Sequence, residues 1–540
     1  MATKQTKLVE VKKREVTKAE ELAKAQREIS ISEFFAKNRH LLGFDNPRKA
    51  LLTTVKEGVD NSLDACEEAG ILPEIHVNIK QLSEDRFIVI IEDNGPGIVK
   101  DQIPKIFAKL LYGSKFHSMK QSRGQQGIGI SAAAMYGQLT TGKPTKIISR
   151  ISEKKPAHYY ELHIDTRKNE PEIVKEEDVE WNKPHGTRVE IELEAKYLKG
   201  KQSVDDYLKE TAVINPHATI IYFTPENEMI EFLRATDTLP KEAKSIKPHP
   251  YGVELGVLMK MLQDTKARTL QSFLMQDFSR VSAKVAKEIC AKAGLPENAK
   301  PSRIARQESE KLYKAINDTK IMAPPTDCIS PLGEELILKG LKKEINAEFY
   351  AAVTRSPSVY RGNPFQIECG IAYGGDLPQD ELVRVMRFAN RVPLLYQQSA
   401  CASIKAIVNT AWRNYGMSQS KGALPQGPAV ILIHIASVWV PFTSESKEAI
   451  AHYPEILKEM KLALQECGRK LASHIRHTVR AREQKEKLSL FEKYIPEVAS
   501  ALHNLSGEPK DSIVEGLHKI LKKGLPDLEK NGGKIEEGKG

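Results

Sequence analysis

An amphipathic helix is the clearest pattern near the start of the chain. Between residues 48 and 70, apolar side chains recur at intervals of three and four positions, the spacing of one face of an α-helix. These side chains belong to Leu51, Val55, Val59, Leu63 and Cys66. Gly70 follows, and glycine commonly stands just past the end of a helix. The pattern predicts a helix with one buried face.

Strand-like and helical patterns alternate over the next 170 residues. Residues 74–81 and 86–92 have the apolar content of strands, and a breaker-rich cluster follows at 93–97. Helices are predicted at 103–112 and 127–136, on either side of a polar loop at 113–126. Further strands are predicted at 145–150, 158–165, 187–193 and 218–223. This alternation predicts a mixed α+β domain that ends near residue 240.

The second half of the chain starts with helices and returns to mixed structure. Helices are predicted at 270–293 and 303–316, and Pro324-Pro325 marks a boundary. The most apolar run, 429–442, is predicted to be a buried strand because it is too short to span a bilayer. From residue 446 to about 487 the pattern is one long helix, interrupted early by Pro454. A polar connection and two amphipathic segments complete the prediction.

Composition excludes several classes of protein. The chain of 540 residues is 40% hydrophobic and 28% charged, as expected for a globular rather than a disordered protein. Its 81 Lys and Arg against 71 Asp and Glu give a net charge of +10, which permits a polyanionic partner. None of the six cysteines forms a C-x-x-C pair, which disfavours a zinc finger and suits a reducing interior. Residues 1–20 lack the apolar core of a signal peptide, so an intracellular location with no membrane is expected.

Two candidate boxes carry acidic residues. Glu57 and Asn61 stand four positions apart and project from one side of the first helix, where they could orient a water and bind Mg²⁺ through oxygen. The alternative for this pair is a solvated polar face. Asp93 opens the cluster D-N-G-P-G directly after an apolar strand, where two glycines let a ligand approach bare backbone. The alternative there is an ordinary turn.

Two further boxes are rich in glycine. Residues 123–130, R-G-Q-Q-G-I-G-I, precede a predicted helix, and glycine-rich amides at a helix N-terminus form a phosphate site. Residues 127–132 also fit a dinucleotide fingerprint and 137–143 most of a P-loop. We reject both because the order of strand and helix is wrong for them. The fourth box is Pro184 to Thr187, which by itself indicates a β-turn.

In this order and spacing the four boxes resemble those of the GHKL ATPases, which include gyrase-type topoisomerases, large heat-shock chaperones, histidine kinases and MutL-type repair proteins. The resemblance implies the Bergerat α/β sandwich, with ATP and Mg²⁺ as cofactors. It makes Glu57 the general base, Asn61 the Mg²⁺ ligand and Asp93 the acceptor for the adenine amino group. Further ATP contacts are implied for Ser114, Lys115, Arg123, Gly124, Gln125, Gln126, Gly127, Ile128, Gly129, Ile130 and Thr187.

Nearly the whole chain resembles the B-subunit family of archaeal-type DNA topoisomerase VI. The motifs that carry the resemblance are EGVDNSLDA at 57–65, LYGSKF at 111–116, GQQGIG at 124–129, HPYG at 249–252, FANRVPLL at 388–395 and YIPEV at 494–498. The implied fold class is α+β multidomain. Its parts are an N-terminal arm (1–30), a GHKL ATPase domain (31–240), a helix-two-turn-helix domain (241–325), a transducer domain with a long exit helix (326–487) and a C-terminal helical extension (488–540).

The same resemblance implies a mechanism and partners. Lys447, placed at the start of the exit helix, would contact the γ-phosphate; the alternative is an ordinary helix-surface lysine. ATP binding would close a homodimer that traps double-stranded DNA. A separate DNA-cleaving A subunit would complete an A2B2 heterotetramer, located in the cytoplasm with the nucleoid. The alternative function is a GHKL repair or chaperone clamp without strand passage, and Glu57 disfavours a non-hydrolysing scaffold.

DNA contact and DNA cleavage receive separate predictions. Basic residues of the helix-two-turn-helix domain and of the exit helix are proposed to contact DNA phosphates. The alternative is that these charges serve only to keep the helix surfaces solvated. These residues are Arg268, Arg280, Lys284, Lys287, Lys292, Arg303, Arg306, Arg469, Lys470, Arg476, Arg480, Arg482 and Lys485. Tyr159, Tyr160, Tyr350 and Tyr396 lie in apolar or strand-like contexts without a flanking D-x-D or E-x-D pattern. The chain by itself is therefore predicted to cut no DNA.

Overall fold

The protein forms two compact units in a computed structural model that describes residues 18–26, 28–113, 118–124, 127–444 and 446–524. Of these described residues, the first unit comprises those up to 113, those from 124 to 204 and those from 220 to 231. The second comprises 118–123, 205–219 and the described residues from 232 to 524. Neither unit is continuous in sequence, because the chain passes from one unit to the other several times.

An eight-stranded sheet with helices forms the first unit. Its helices are α1 (Lys18–Ala25), α2 (Ile31–Lys37), α3 (Pro47–Glu68), α4 (Ile103–Ala108) and α5 (Gly129–Thr141). Its strands are β1 (Glu74–Gln81), β2 (Arg86–Asp93), β3 (Thr145–Arg150), β4 (Ala157–Asp165), β5 (Glu170–Val179), β6 (Gly186–Glu194), β7 (Thr219–Phe223) and β8 (Met229–Phe232). The strand order is β5-β4-β3-β6-β2-β1-β7-β8.

Helix α3 forms where the apolar pattern predicts it. The side chain of Asn46 caps its start by accepting the N–H of Lys49 at 2.9 Å, and Pro47 occupies the first turn. The predicted apolar face is buried against the sheet. Gly58 permits close approach there, since a Cβ at this position would lie 2.2 Å from Cδ1 of Ile91 on β2. This helix is therefore held rigidly on the strand that ends at Asp93.

The second unit contains a mixed sheet and most of the helices. Its helices are α6 (Val204–Ile214), α7 (Leu255–Asp264), α8 (Leu270–Asp277), α9 (Ala283–Ala293), α10 (Arg306–Asn317), α11 (Glu334–Glu344), α12 (Ala402–Val408), α13 (Pro454–Ser506) and α14 (Lys510–Gly524). Its strands are β9 (Phe349–Thr354), β10 (Ser358–Tyr360), β11 (Asn363–Tyr373), β12 (Arg384–Ala389), β13 (Val392–Pro393), β14 (Ser418–Gln419), β15 (Pro425–Gln426) and β16 (Ala429–Ser437). The main sheet has the order β10-β11-β16-β12-β13, with β9 also paired to β11.

Strand β16 is the centre of this sheet. All nine of its residues are buried, which confirms the buried strand predicted within 429–442. It pairs antiparallel with β11 and parallel with β12. The first turns of α13 bury Ile456, Met460 and Leu464 in the same core. The core thus fixes the start of the long helix to the middle of the sheet.

Two helix predictions in this unit are wrong. The helix predicted at 270–293 is two helices, because the chain turns at Arg280 (φ +60°) and Ser282 caps α9 by accepting the N–H of Val285. The exit helix begins at Pro454, not at 446, because proline favours the first turn and disrupts an interior. It then runs without the predicted break to Ser506 and accommodates Pro496 inside. Residues 485–495 are mostly good helix formers, which explains the continuation.

Smaller differences concern the first unit. The helix predicted at 103–112 ends at Ala108. The sequence analysis does not predict strand β5. Almost all of its side chains are exposed and many are acidic, so the sequence lacks the alternation of apolar and polar residues that indicates a strand. Within the described part of the chain, no helix combines the length and apolarity needed to cross a membrane.

Candidate nucleotide site

Helix α3 brings the first box against the third. Glu57 is half-buried, and a Cβ at Gly129 would lie 1.7 Å from its Oε2 atom. Only glycine therefore lets this carboxylate lie against the first residue of α5. One turn further along α3, a Cβ at Gly124 would lie 3.5 Å from Oδ1 of Asn61, whose side chain is exposed. The two polar residues of the helix thus face two glycines of the same box.

The N-terminus of α5 suits an anion. Ile128 precedes the helix and makes no side-chain cap, so the first N–H groups of α5 have no cap from this residue. The first four N–H groups of a helix have no acceptor within the helix, and together with the helix dipole they favour negative charge at such a position. A phosphate placed there would lie beside Glu57, which could accept a proton from an attacking water.

A second cluster surrounds Asp93 at the end of β2. The Oδ2 atom of Asp93 accepts a hydrogen bond from Oγ of Ser62 at 2.7 Å. Its Oδ1 atom accepts the N–H of Gly95 at 3.0 Å and the N–H of Thr187 at 3.1 Å. Burial raises the pKa of Asp93 above its ordinary value, although these three bonds act in the opposite direction. The carboxyl is therefore fixed in orientation by groups from three separate segments.

Ser149 completes this cluster from β3. Its hydroxyl lies 3.0 Å from Oγ1 of Thr187 and accepts the N–H of Ile98 at 2.8 Å. Sequence reasoning missed both Ser62 and Ser149. Ser62 is adjacent to Asn61 in the first box, which was a usable signal, whereas nothing marks Ser149 in its strand.

The cluster D-N-G-P-G is more than a surface turn. Gly97 has a φ of +72°, and a Cβ there would lie 2.0 Å from the carbonyl oxygen of Arg150. Asn94 accepts the N–H of Glu74 at 2.9 Å and donates to the oxygen of Leu72 at 3.0 Å. The box is therefore closed tightly against β3 and β1 around Asp93.

The other predicted site residues divide into three groups. Gly127 and Ile128 directly precede α5, and Ile130 is buried, so any contact from Ile130 to a ligand would come from its backbone. Arg123 and Lys447 belong to the second unit. Ser114, Lys115, Gln125 and Gln126 lie outside the described residues. ATP contact by each of these residues stays a prediction.

The structure corrects the setting of Lys447. It precedes α13 by several residues, has a φ of +53° and donates its backbone N–H to the oxygen of Ser444 at 3.1 Å. It is therefore a loop residue and not the start of a helix.

Arg123 is buried, and its Nη2 atom donates to Oδ1 of Asn215 at 2.6 Å.

Two family models match the chain. The model described as "Histidine kinase-, DNA gyrase B-, and HSP90-like ATPase" covers residues 46–197, and that of the "Topoisomerase VI B subunit, transducer" covers 324–487. The B subunit of type 2 DNA topoisomerase 6 from Methanococcoides burtonii is 56% identical over 485 residues, which are 90% of this chain and 78% of that protein. The chain belongs to this family of topoisomerase 6 B subunits. The protein of the same name from Methanosarcina barkeri is 52% identical over 515 residues, or 95% of this chain and 80% of its own.

Membership of the B-subunit family confirms the predicted fold class and family. Its GHKL-type ATPase domain makes this chain a nucleotide-using subunit of an isomerase. Among solved structures, the ATPase region of Saccharomyces cerevisiae topoisomerase II covers 84% of this chain and 99% of its own, at 11% identity and a TM-score of 0.40. The helices α7 to α10 share a core of their own between the two matched ranges. The predicted domain boundaries stay a prediction.

Proposed function

We propose that this chain is the ATP-binding and hydrolysing subunit of a type IIB DNA topoisomerase, in which nucleotide binding closes a homodimer around a DNA segment. The observation that carries the proposal is the pair on α3, where Glu57 meets the N-terminus of α5 and Asn61 faces Gly124. This arrangement brings a base, a carboxamide oxygen and a phosphate-binding backbone to one place.

Each residue has a role in this proposal. Glu57 accepts the proton of the water that attacks the γ-phosphate. The backbone of Gly124 and of residues 127–130 holds the phosphates, and Asp93 accepts the adenine amino group. Thr187, Ser114, Lys115, Arg123, Gln125, Gln126 and Lys447 are further ATP contacts that the family resemblance implies.

A magnesium ion fits this set of groups. Mg²⁺ is usually bound by one or two protein oxygens together with phosphates and waters. Asn61 offers one exposed amide oxygen beside Gly124, and no cluster of three or more His, Cys, Asp or Glu suited to a metal occurs in the described ranges. Asn61 would hold the ion, which supplies charge neutralisation for the phosphates when it is bound.

The substitution Asp93→Asn should weaken ATP binding while the fold stays intact. An asparagine oxygen can still accept the two backbone N–H groups, and Ser62 Oγ can accept from the new amide. The new NH₂ group would then replace Oδ2, the oxygen left to accept the adenine amino group, and an NH₂ group cannot accept a hydrogen bond. Isothermal calorimetry should show an affinity loss of about tenfold, the effect of about 1.4 kcal/mol. Asp85→Asn, in the exposed β1–β2 turn, is the matched control, and equal affinities in the two variants would reject the assignment.

A non-hydrolysable ATP analogue should convert the monomer into a dimer. The N-terminal arm, residues 1–30, has little to bury by itself, and the side chains of Leu22 and Ile29 are exposed. Deleting the arm should therefore weaken the dimer several-fold. Sedimentation velocity with and without the analogue measures this, and an unchanged mass on nucleotide addition contradicts the clamp.

Strand passage should require a second protein. The relatives are named as B subunits of type 2 DNA topoisomerase 6, which supports a partner A subunit, an A2B2 heterotetramer and double-stranded DNA as substrate. Because its substrate is DNA, we propose that the complex acts in the cytoplasm with the nucleoid. The chain alone should hydrolyse ATP weakly and relax no plasmid, and relaxation should appear when a topoisomerase 6 A subunit is added.

The decisive assay uses supercoiled plasmid with Mg²⁺ and ATP, quenched by detergent and protease. Protein-linked breaks made by the chain alone would overturn the division of labour.

The basic residues proposed to contact DNA are all exposed, so DNA binding should weaken steeply as the salt concentration rises. Affinity that is independent of salt would remove them as phosphate contacts.

A further inference from the structure

One segment of the second unit comes from the middle of the ATPase match. Residues 118–123, called the strap below, lie between α4 and α5 in sequence and within the range matched by the ATPase family model. In the structure they belong to the second unit, and three of their hydrogen-bond partners, Cys328, Ser330 and Asn390, lie in the range matched by the transducer model. The domain boundary predicted near residue 240 does not account for the strap, which precedes that boundary in sequence but belongs to the second unit.

Gln121 is the main anchor of the strap. Its side chain is buried, donates through Nε2 to the oxygen of Ser330 at 3.2 Å and accepts the N–H of Ser330 at 2.6 Å. Its backbone N–H donates to the oxygen of Cys328 at 2.8 Å. The side-chain amide of Gln121 thus bonds both backbone groups of Ser330, as a neighbouring strand does in a β-sheet. The contact between Gln121 and Ser330 is therefore specific in direction as well as in distance.

Neighbouring residues hold the strap on either side of Gln121. Met119 pairs with Ile246 as an isolated antiparallel bridge. The oxygen of Ser122 accepts from Nδ2 of Asn390 at 3.2 Å, and Asn390 is itself bonded to both backbone groups of Ser437 at 2.9 Å. Met119, Gln121 and Ser122 are thus each bonded to residues of the second unit.

The chain leaves the strap directly at the candidate nucleotide site. Gly124, the next residue after Arg123, belongs to the first unit and faces Asn61. A single peptide bond therefore separates the anchored strap from the first glycine of the phosphate-binding box.

We propose that Gln121 is a positioning residue for ATP binding, which orders the backbone that leads into Gly124 by anchoring the strap. This inference rests on the proposed nucleotide role of Gly124 and Asn61. With the anchor in place, the residues before Gly124 are already ordered in the free protein. Without it, nucleotide binding has to order them, and part of the binding energy is spent on that.

The test compares Gln121→Ala with the unaltered full chain. Loss of one anchored side chain should raise both the Kd for a non-hydrolysable ATP analogue and the KM for ATP by about threefold to tenfold. The kcat should stay within about twofold, because Gln121 touches no reacting group. A merely structural role predicts a lower melting temperature with unchanged KM.

Gln419→Ala is the matched control. Gln419 lies in the same unit, accepts the N–H of Trp412 and donates to the oxygens of Val408 and Ala423, each at 3.1 Å, but none of these residues belongs to the strap. Its variant should melt at a lower temperature and bind the analogue normally. If Gln121→Ala fails to fold, Gln121→Glu keeps the acceptor for Ser330 N–H and gives the same readout.

The outcomes separate the two proposals. A Kd within twofold of the unaltered chain, in whichever Gln121 variant folds, overturns the role of the strap and leaves the nucleotide site untouched. A kcat that falls as far as expected for a catalytic residue also overturns it. An unaltered chain that does not bind the analogue overturns the nucleotide site, and the strap's role with it.

Discussion

The Glu57→Ala variant is expected to bind ATP and to lose hydrolysis by about 10²–10⁴-fold, the usual effect of removing a positioned general base. Glu57 lies against the first residue of α5, where its carboxylate adjoins the groups that suit a phosphate. Removing a carboxylate from an anion site also removes repulsion, so the affinity for ATP should stay equal or increase. The measurement is the steady-state rate of phosphate release beside a calorimetric Kd.

Two variants sharpen this test. Glu57→Gln keeps the shape of the side chain but cannot accept the proton, so it should be as slow as Glu57→Ala. Glu68→Ala changes an exposed glutamate in the last turn of the same helix and should hydrolyse ATP normally. Turnover in Glu57→Gln within tenfold of the unaltered chain would exclude Glu57 as the base.

Glu368→Gln is expected to destabilise the second unit by about 2–6 kcal/mol, because two buried donors lose their acceptor at a cost of about 1–3 kcal/mol each. Glu368 on β11 is fully buried and accepts four hydrogen bonds. They come from His434 Nδ1 at 2.8 Å, Leu332 N at 2.9 Å, Gly333 N at 2.7 Å and Thr354 Oγ1 at 2.9 Å. A glutamine must turn its NH₂ group toward two of these donors, which leaves buried groups unpaired.

Tryptophan fluorescence during urea titration can follow this unit selectively. Two of the three tryptophans, Trp412 and Trp439, lie in the second unit, so a Trp181→Phe background removes the signal of the first. Glu335→Gln, an exposed glutamate on α11 paired with Lys339, is the control and should cost less than about 1 kcal/mol. A Glu368→Gln variant as stable as this control would contradict the importance of the buried pair.

The pH dependence of the same pair has a definite sign. Burial alone would raise the pKa of Glu368, but the bonds from His434, Leu332 and Gly333 together hold it below its usual 4.5. A depressed folded pKa means that the ionised carboxylate stabilises the fold above pH 4.5 and that this contribution is lost as the pH falls through the folded pKa. The stability difference between the unaltered chain and Glu368→Gln should therefore narrow below about pH 4.5. A constant difference would indicate that the charge is unimportant.

Local patterns predicted local structure well and distant contacts poorly. The apolar repeat of α3 and the strands β1 and β2 follow from neighbouring residues, so their predictions were close. Asp93 is predicted from its own box, but the bond between Thr187 and Ser149 and the strap contacts of Gln121 join segments that are far apart in sequence, which no periodicity records. Helices α8 and α9 are separated at Arg280, which has a positive φ, and an arginine side chain gives no sign of that backbone conformation in the sequence.

The length of α13 has a mechanical consequence. At 1.5 Å per residue, its 53 residues extend about 80 Å, and side chains are buried in the core of the sheet only up to Leu471. From there to Ser506 about 50 Å of helix projects beyond its root. A tilt of about ten degrees at the root would move the far end by about 9 Å, given that rise per residue. The helix is thus a lever: with its pivot near Leu471, the same tilt moves Met460 and Ile456 by about 3–4 Å and the far tip by about 9 Å.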